Sequence, residues 1–192
     1  MAGLDEAGRG PLAGPVVAAA VVIDPARRIR GMADSKILTP ERRAELYDVI
    51  RERAVAVGVA IVDHLTIDRI NILEATRVAM REALAELALV PDLVITDFVA
   101  LRDLPWPQKN LVDGDARCAT VAAASIIAKV TRDRLMVEAD KQFPEYGFAR
   151  HKGYATVEHL AALDRYGACA LHRRSFAGVW RQGLLFALDA ED

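Results

Sequence analysis

Short runs of apolar residues alternate along the chain with stretches in which apolar residues recur at helical spacing. The runs are rich in valine and alanine, which is typical of buried strands. They predict strands at residues 3–5, 16–23, 55–62, 93–95 and 109–112. The helical stretches, two of which follow the capping residues Thr39 and Asn71, predict helices at 40–53, 72–89, 121–141 and 156–166. Strands followed by alternating helices and strands imply an α/β fold with a mixed sheet, and then a helical C-terminal portion.

The composition is typical of a globular protein that folds without disulfides. Of the 192 residues, 53% are hydrophobic and 27% are charged, which excludes a disordered chain and a coiled coil. The two cysteines, Cys118 and Cys169, are too few for a disulfide scaffold. No apolar run reaches the length of about 18 residues that a membrane span needs. The N-terminus has no basic segment followed by an apolar one, so we expect a cytoplasmic protein.

Charge is distributed unevenly along the chain. The formal net charge is -2, yet residues 146–181 contain six basic and two acidic residues. Such asymmetry indicates that the C-terminal part faces a polyanion, although a solvated basic face would give the same composition. We expect residues 1–145 to form the main domain and residues 146–192 to form a basic helical part packed on it.

Acidic residues stand at the ends of three predicted strands. Asp5 and Glu6 end the first strand, Asp97 ends the fourth, and Asp115 lies just after the last. Strand ends converge on one rim of a layered sheet, where ligands usually bind. Carboxylate oxygens suit Mg²⁺ or Mn²⁺, and two such ions can activate a water and stabilise a leaving oxygen in phosphoryl transfer. Turn or capping roles for each Asp are the alternative, and these residues alone leave both open.

A glycine-containing turn follows the first two carboxylates. Residues 5–18, DEAGRGPLAGPVVA, closely resemble the N-terminal signature of ribonuclease HII. Further segments fit the same family in order along the chain. They are ADSK at 33–36, NIL at 71–73, AASIIAKV at 123–130, YGF at 146–148, HKGY at 151–154 and HRRSF at 172–176. The resemblance covers essentially the whole chain and implies a ribonuclease H-like mixed sheet flanked by helices, with a C-terminal helical extension.

The resemblance implies a metal-dependent endoribonuclease whose catalytic domain spans residues 1–145. Such an enzyme cuts the RNA strand of RNA–DNA hybrids and nicks duplex DNA on the 5′ side of embedded ribonucleotides, leaving 3′-hydroxyl and 5′-phosphate ends. The family's metal-binding and catalytic tetrad falls on Asp5, Glu6, Asp97 and Asp115, the carboxylates that the strand ends also indicate. The implied cofactor is Mn²⁺ or Mg²⁺, with two ions during catalysis.

The resemblance also implies how the substrate is held. Gly8-Arg9-Gly10 matches the family's ribonucleotide reader, because glycine lets main-chain groups approach a 2′-hydroxyl closely. Tyr154 matches the tyrosine that stacks at the junction between RNA and DNA. Other substrate contacts, mainly to phosphates, are expected from Lys36, Ser125, Lys129, His151, Lys152, Arg173 and Arg174.

Several positions depart from the family pattern. Phe98 stands where a glycine is usual, Asp113 stands where a lysine is usual, and the second lysine that often follows Lys36 is Ile37. Asp113 replaces a cation beside the site by an anion, which can compete as a ligand or weaken the approach of substrate. No tetrad residue is lost, so we expect activity.

Other functions fit particular residues less well. A junction resolvase or DNA-only nuclease of the same fold has no use for a 2′-hydroxyl reader, and a binding module without chemistry has no use for an intact tetrad. A nucleophilic role for Cys118 lacks an accompanying His or Asn pattern. Residues Gln182–Phe186, QGLLF, loosely resemble a peptide that docks on the sliding clamp, although an apolar anchor for the last helix is the better interpretation of five residues. The absence of a leftover apolar edge or heptad predicts a monomer.

Overall fold

The computed structural model describes residues 1–27, 29–32 and 38–179. The predicted contacts of Lys36 and of residues 182–186 lie outside these ranges. The strands are β1 (Ala2–Ala7), β2 (Val16–Val22), β3 (Ala56–Val62), β4 (Val94–Asp97) and β5 (Gln108–Leu111). The helices are α1 (Pro40–Arg53), α2 (His64–Ile70), α3 (Ile72–Ala85), α4 (Gly114–Arg117), α5 (Ala119–Gln142), α6 (Phe148–His151) and α7 (Val157–Tyr166).

The strands form one five-stranded sheet in the order β3-β2-β1-β4-β5. β1 pairs with β2 and β2 with β3 in the antiparallel sense, whereas β1 pairs with β4 and β4 with β5 in parallel. This arrangement confirms the mixed sheet that the sequence predicts. β1 therefore lies in the centre of the sheet, next to the parallel strand β4.

Helices cover both faces of the sheet because its central strands are apolar on both sides. Val17, Ala19 and Val21 of β2 belong to the core formed with α1 and α5. The alternate residues Val16 and Ala18 belong to the core formed with α3 on the opposite face. The continuous apolar run that predicts β2 is thus the signature of a strand buried between two helical layers.

The helix boundaries follow from capping. The Thr39 hydroxyl accepts a hydrogen bond from the main-chain N–H of Arg42 at 3.2 Å, as its N-cap role predicts. The helix predicted at 72–89 ends earlier, at Ala85, because the N–H of Leu87 turns back to the carbonyl of Leu84. The short helices α2, α4 and α6 are not among the predicted elements, since seven or four residues carry little periodicity.

Residues 146–179 pack against the loop that joins β1 to β2. The main-chain N–H groups of Leu12 and Gly14 donate to the carbonyls of Gly153 and Leu171, at 2.8 and 2.9 Å. The two segments also share an apolar core, which contains Leu12, Ala13, Met136, Tyr146, Phe148 and Leu163. Within the described ranges, no helix combines the length and the apolar character that crossing a membrane requires.

Candidate active site

The pairing of β1 with β4 brings two of the predicted carboxylates together. Leu4 pairs with Thr96 in the parallel register, so the next residues, Asp5 within β1 and Asp97 at the end of β4, are neighbours where this pairing ends. The predicted end of the first strand at Asp5 is wrong, because pairing with β2 continues β1 to Ala7. Asp5 is only 6% exposed. Its carboxylate lies beside Ser125 of α5, whose hydroxyl hydrogen-bonds to it. The central strand therefore carries an acidic group into the boundary between the sheet and α5.

A tight turn after β5 brings in the third carboxylate. Asp113 adopts a left-handed conformation with φ of 54°, and the N–H of the next residue, Gly114, donates to Oδ1 of Asp97 at 2.9 Å. Asp115 follows on α4 and is buried. One carboxylate oxygen from each of Asp5, Asp97 and Asp115 lies within 4.8 Å of the others.

The electrostatics of this cluster favour a bound cation. Burial raises the pKa of Asp5 well above its ordinary value, and the charges of Glu6 and Asp97 raise it further, against hydrogen bonds that lower it. Hard oxygen donors on three converging carboxylates fit Mg²⁺ or Mn²⁺, because a divalent cation offsets their repulsion. Asp5, Asp97 and Asp115 are thus able to hold a metal.

Glu6 lies beside the three aspartates but outside their closest grouping. Its main-chain N–H donates to Oδ1 of Asp5 at 2.7 Å, and its Oε1 accepts from the guanidinium of Arg9 at 3.4 Å. Consecutive side chains of a strand point to opposite faces, which separates Glu6 from Asp5. A fourth ligand at Glu6 remains a prediction.

The glycine turn contains two glycines with different reasons to lack a side chain. Gly8 has a φ of +101°, and a Cβ there would overlap the guanidinium of Arg132. Gly10 is not in the left-handed region. Within the described part of the chain, the only atom that a Cβ at Gly10 would meet within 4 Å is Cε1 of Tyr154, at 3.7 Å. The Tyr154 side chain is 44% exposed, and its ring lies so close to Gly10 that a Cβ there would be in ordinary van der Waals contact with it.

Two buried arginines bind the main chain of the glycine turn from the protein interior. The Arg173 guanidinium is 0% exposed and donates to the carbonyls of Gly8, Arg9, Gly14 and Pro15, at 2.6 to 3.1 Å. Burial, and next the charge of Arg132, lower the pKa of Arg173 to about 9, which leaves it charged at neutral pH. The prediction of a direct phosphate contact does not fit Arg173, because its donors are turned inward to the main chain.

The sequence prediction does not include Arg132 of α5, which binds main-chain carbonyls near the glycine turn as Arg173 does. It donates to the carbonyls of Ala13, Pro15 and Lys152, at 2.9 to 3.1 Å, and so joins the glycine turn to the turn that carries Tyr154. A sequence signal does exist, since Ala128, Arg132 and Met136 are spaced by four residues and all three are buried.

The remaining predicted contacts divide between a groove and the interior. Lys129 and Lys152 line one groove with Arg43, Arg134 and Arg150. Lys129 pairs there with Asp133, Nζ to Oδ1, at 2.7 Å. Arg174 is exposed on the neighbouring segment. His151 is buried, and its ring nitrogens bind the main chain of Tyr146 and Gly153, so a phosphate contact does not fit it.

A mixed five-stranded sheet between helices, with a carboxylate cluster on β1, at the end of β4 and on α4, defines a metal-dependent nuclease of the ribonuclease H-like fold. The family model described as ribonuclease HII matches residues 2–179 of the chain. The chain belongs to the ribonuclease HII family, and its activity is that of a ribonuclease H.

Individual relatives agree with this assignment. A ribonuclease HII of Acetivibrio thermocellus is 55% identical over 176 residues, which are 92% of this chain and 69% of the relative. The crystal structure of ribonuclease H2 from Pyrococcus horikoshii superposes with a TM-score of 0.82 at 29% identity, over 93% of this chain and 94% of the other. The structure of an RNase HII in complex with PCNA, from Archaeoglobus fulgidus, gives a TM-score of 0.75 at 28% identity, over 90% of this chain and 92% of the other.

Proposed function

We propose that this ribonuclease H nicks duplex DNA on the 5′ side of single embedded ribonucleotides, besides cutting the RNA strand of RNA–DNA hybrids. The products would carry 3′-hydroxyl and 5′-phosphate ends. The observation that carries the proposal is that Gly10 and the exposed ring of Tyr154 lie side by side. A Cβ at position 10 would make an ordinary van der Waals contact with Tyr154, so the fold itself gives no reason for glycine there. We attribute the glycine to the close approach of a substrate sugar to the main chain.

Asp5, Glu6, Asp97 and Asp115 would hold Mg²⁺ or Mn²⁺ in this reaction. When bound, such ions activate a water for attack on the phosphate and offset the charge of the leaving oxygen. The protein's own contribution is to fix the carboxylates beforehand. The hydrogen bond from Gly114 to Asp97, and that from Ser125 to Asp5, hold two of these groups in place without the substrate.

The glycine turn would recognise the ribose. Arg173 draws the carbonyls of Gly8 and Arg9 inward. Because those carbonyls are occupied, the outer side of the turn is left to contact the substrate. A 2′-hydroxyl both donates and accepts a hydrogen bond, and it is the group that distinguishes RNA from DNA here. The Tyr154 ring, opposite Gly10, would stack on the adjoining deoxyribose.

Basic side chains beside this site would bind phosphates without reading sequence. Lys129, Lys152 and Arg174 are the candidates that the structure leaves at the surface or in the groove. Ser125 reaches the substrate only at the carboxylate cluster, since its hydroxyl already bonds to Asp5.

A cleavage assay on an end-labelled DNA duplex with one ribonucleotide tests the proposal directly. We expect a nick on its 5′ side that requires Mg²⁺ or Mn²⁺ and is absent with an all-DNA duplex. Gly10→Ala should fold normally, since a Cβ has room there, yet lose about tenfold or more in cleavage because the methyl group keeps the sugar from approaching the main chain. Cleavage of all-DNA duplex at a similar rate would contradict the proposal.

The matched variant is Gly8→Ala, where the added Cβ meets Arg132 and the φ is +101°. It should lower the thermal unfolding temperature as well as cleavage, whereas Gly10→Ala should lower cleavage alone. An equal fall of the thermal unfolding temperature in the two variants would mean that Gly10 also has a structural role.

We further propose that residues 182–186 contact a sliding clamp and that the enzyme is otherwise a monomer. A relative of similar fold is known in complex with PCNA, a clamp of its own organism. Clamp protein should retain the wild-type enzyme in a pull-down and lose it when Gln182→Ala and Phe186→Ala are combined. Unchanged retention would reject the clamp contact, and light scattering checks the monomer.

A further inference from the structure

Two buried histidines lie directly behind Tyr154 and take no part in the proposed chemistry. His159 of α7 is 0% exposed and His172 is 1% exposed. Their Nε2 atoms face each other at 3.0 Å. The ring of His151 stacks on that of His159, with centroids 4.5 Å apart.

The other partners of the two rings decide where their protons lie. Nδ1 of His159 is 2.9 Å from the main-chain carbonyl of Tyr154, which can only accept, so this nitrogen carries the proton. Nδ1 of His172 accepts from the main-chain N–H of Cys169 at 3.0 Å, so it carries none. A neutral His172 therefore has its proton on Nε2 and donates to Nε2 of His159. We call the resulting series, from the Cys169 N–H through His172 and His159 to the Tyr154 carbonyl, the imidazole chain.

The imidazole chain ends on the residue that is proposed to stack on the substrate. The Tyr154 carbonyl also accepts from the N–H of Thr156 at 2.8 Å. On the other side of Tyr154, the N–H of Gly153 donates to Nδ1 of His151 at 3.1 Å. The stacked rings of His151 and His159 thus hold the main chain on both sides of Tyr154, while its own ring stays exposed toward Gly10.

The imidazole chain requires both rings to be uncharged. A second proton on His159 would go to Nε2 and oppose the Nε2–H of His172, and one on His172 would oppose the Cys169 N–H. Burial, followed by the neighbouring His159, lowers the pKa of His172 to about 4. Burial also lowers the pKa of His159.

The groups that face the pair come from several elements. They are His151 of α6, Tyr146 and Phe148 before and within it, His64 of α2, and Cys169 on the segment of His172. Two charged groups lie next to that segment: Asp68 of α2 accepts from the main chain of Arg174 and Ser175, and Arg173 is turned toward the glycine turn.

We infer that His159 and His172 are positioning residues for Tyr154, and that their uncharged, hydrogen-bonded pairing sets where the tyrosine ring stands opposite Gly10. The inference rests on the proposed function, in which Tyr154 contacts the sugar at the junction. Loss of the pairing, by substitution or by protonation, lowers cleavage at a single ribonucleotide through Tyr154 and leaves the carboxylate cluster unchanged.

A double-mutant cycle tests this route. His159→Phe keeps the ring volume but has no donor, whereas His159→Asn keeps an amide N–H near the position of Nδ1. On the single-ribonucleotide duplex, we expect kcat/KM to fall about tenfold or more with His159→Phe. With His159→Asn, which retains the bond to the Tyr154 carbonyl, it should fall by no more than about threefold. In a Tyr154→Ala background neither substitution should change the rate further.

His64→Asn is the matched control, because His64 faces the pair from α2 without belonging to the imidazole chain. Its rate should equal that of the wild type. Equal losses with His159→Phe and His159→Asn, or undiminished losses in the Tyr154→Ala background, would overturn the positioning role while the sugar reading stands. Wild-type cleavage by Tyr154→Ala alone would instead contradict the proposed role of Tyr154, and the positioning role with it.

A second measurement needs no variant. Long-range ¹H–¹⁵N spectra of the folded wild-type enzyme report the tautomer and charge of each histidine. We expect His159 protonated on Nδ1 and His172 on Nε2, with both rings uncharged down to about pH 6, below the ordinary histidine pKa. The opposite tautomer of either ring, or a charged ring at that pH, would overturn the inference.

Discussion

The carboxylate cluster and the glycine turn are adjacent in the fold but are stabilised in opposite ways. At the cluster, Asp5, Asp97 and Asp115 place like charges within 4.8 Å, and their repulsion falls when a cation binds. At the turn, Arg132 and Arg173 place two positive charges in the interior, and main-chain carbonyls stabilise them. The first region is completed by its ligand, whereas the second is complete in the folded protein. Substitutions at the cluster should therefore lower activity without lowering stability. Substitutions at the turn should lower both.

The largest expected effect is the loss of cleavage in Asp5→Asn. Removing a metal ligand should lower kcat by about a thousandfold or more, the scale of a lost electrostatic contribution in the transition state. The metal-free protein should nevertheless be at least as stable as the wild type, because the raised pKa of Asp5 shows that its charge is unfavourable there. Cleavage assays and urea unfolding in chelator check both parts. A clear loss of stability in chelator would show that the Asp5 charge stabilises the fold.

The contrasting substitution is Arg173→Met, at the glycine turn. It leaves several buried carbonyls without their donor, so the free energy of unfolding should fall by about 3 to 5 kcal/mol. Cleavage should fall together with stability, because the hydrogen bonds from Arg173 to these carbonyls also fix the position of the turn. Arg174→Met, at the exposed neighbour, is the matched control and should change stability by less than about 0.5 kcal/mol. Equal unfolding energies for the two variants would contradict the structural role of Arg173.

The same two regions differ in how far the sequence alone predicts them. Local patterns point to Asp5, Asp97 and Asp115, because the predicted strands stop beside each of them and parallel strands bring such positions to one edge. The prediction of the cluster holds although β1 continues past Asp5 to Ala7 and Asp115 lies on α4. The contacts of Arg173 with the turn join residues more than 150 positions apart, from Gly14 to Gly8 on one side and Arg173 on the other. In the sequence, an arginine in a basic segment fits a phosphate contact as well as it fits a buried support of the turn. Only the burial of Arg173 in the structure distinguishes these two roles. The short helices escape prediction for a related reason, since tertiary contacts rather than periodicity define them.

Acid should affect the carboxylate cluster and the imidazole chain in opposite directions. The pKa of His172 is lowered from 6.5 to about 4 in the folded protein. Above the ordinary value neither state binds a proton, so its full contribution is present. As the pH falls from 6.5 toward 4 the unfolded chain binds the proton first, and the free energy of unfolding drops by about 3 kcal/mol. Asp5 has a raised pKa, so its unfavourable contribution disappears as the pH falls through that raised value.

Urea unfolding between about pH 7 and about pH 4.5 in chelator separates these contributions. Compared with the wild type, Asp5→Asn should lose more stability on acidification, because it lacks the relief at Asp5. His172→Gln should lose less, because it lacks the histidine that stays neutral. Parallel curves for the three proteins would contradict the opposite signs.

The smallest expected effect is on the salt dependence of substrate binding, through side chains outside both regions. Arg174 is exposed and Lys129 lies in the basic groove, where it already pairs with Asp133. If each contacts one phosphate, its replacement by methionine should reduce the slope of log K against log salt by about one. Catalysis at saturating substrate should change little, because neither side chain supports the cluster or the turn. Binding titrations over a salt series measure the slopes. An unchanged slope for Lys129→Met beside a reduced slope for Arg174→Met would mean that the ion pair with Asp133 persists when the nucleic acid is bound.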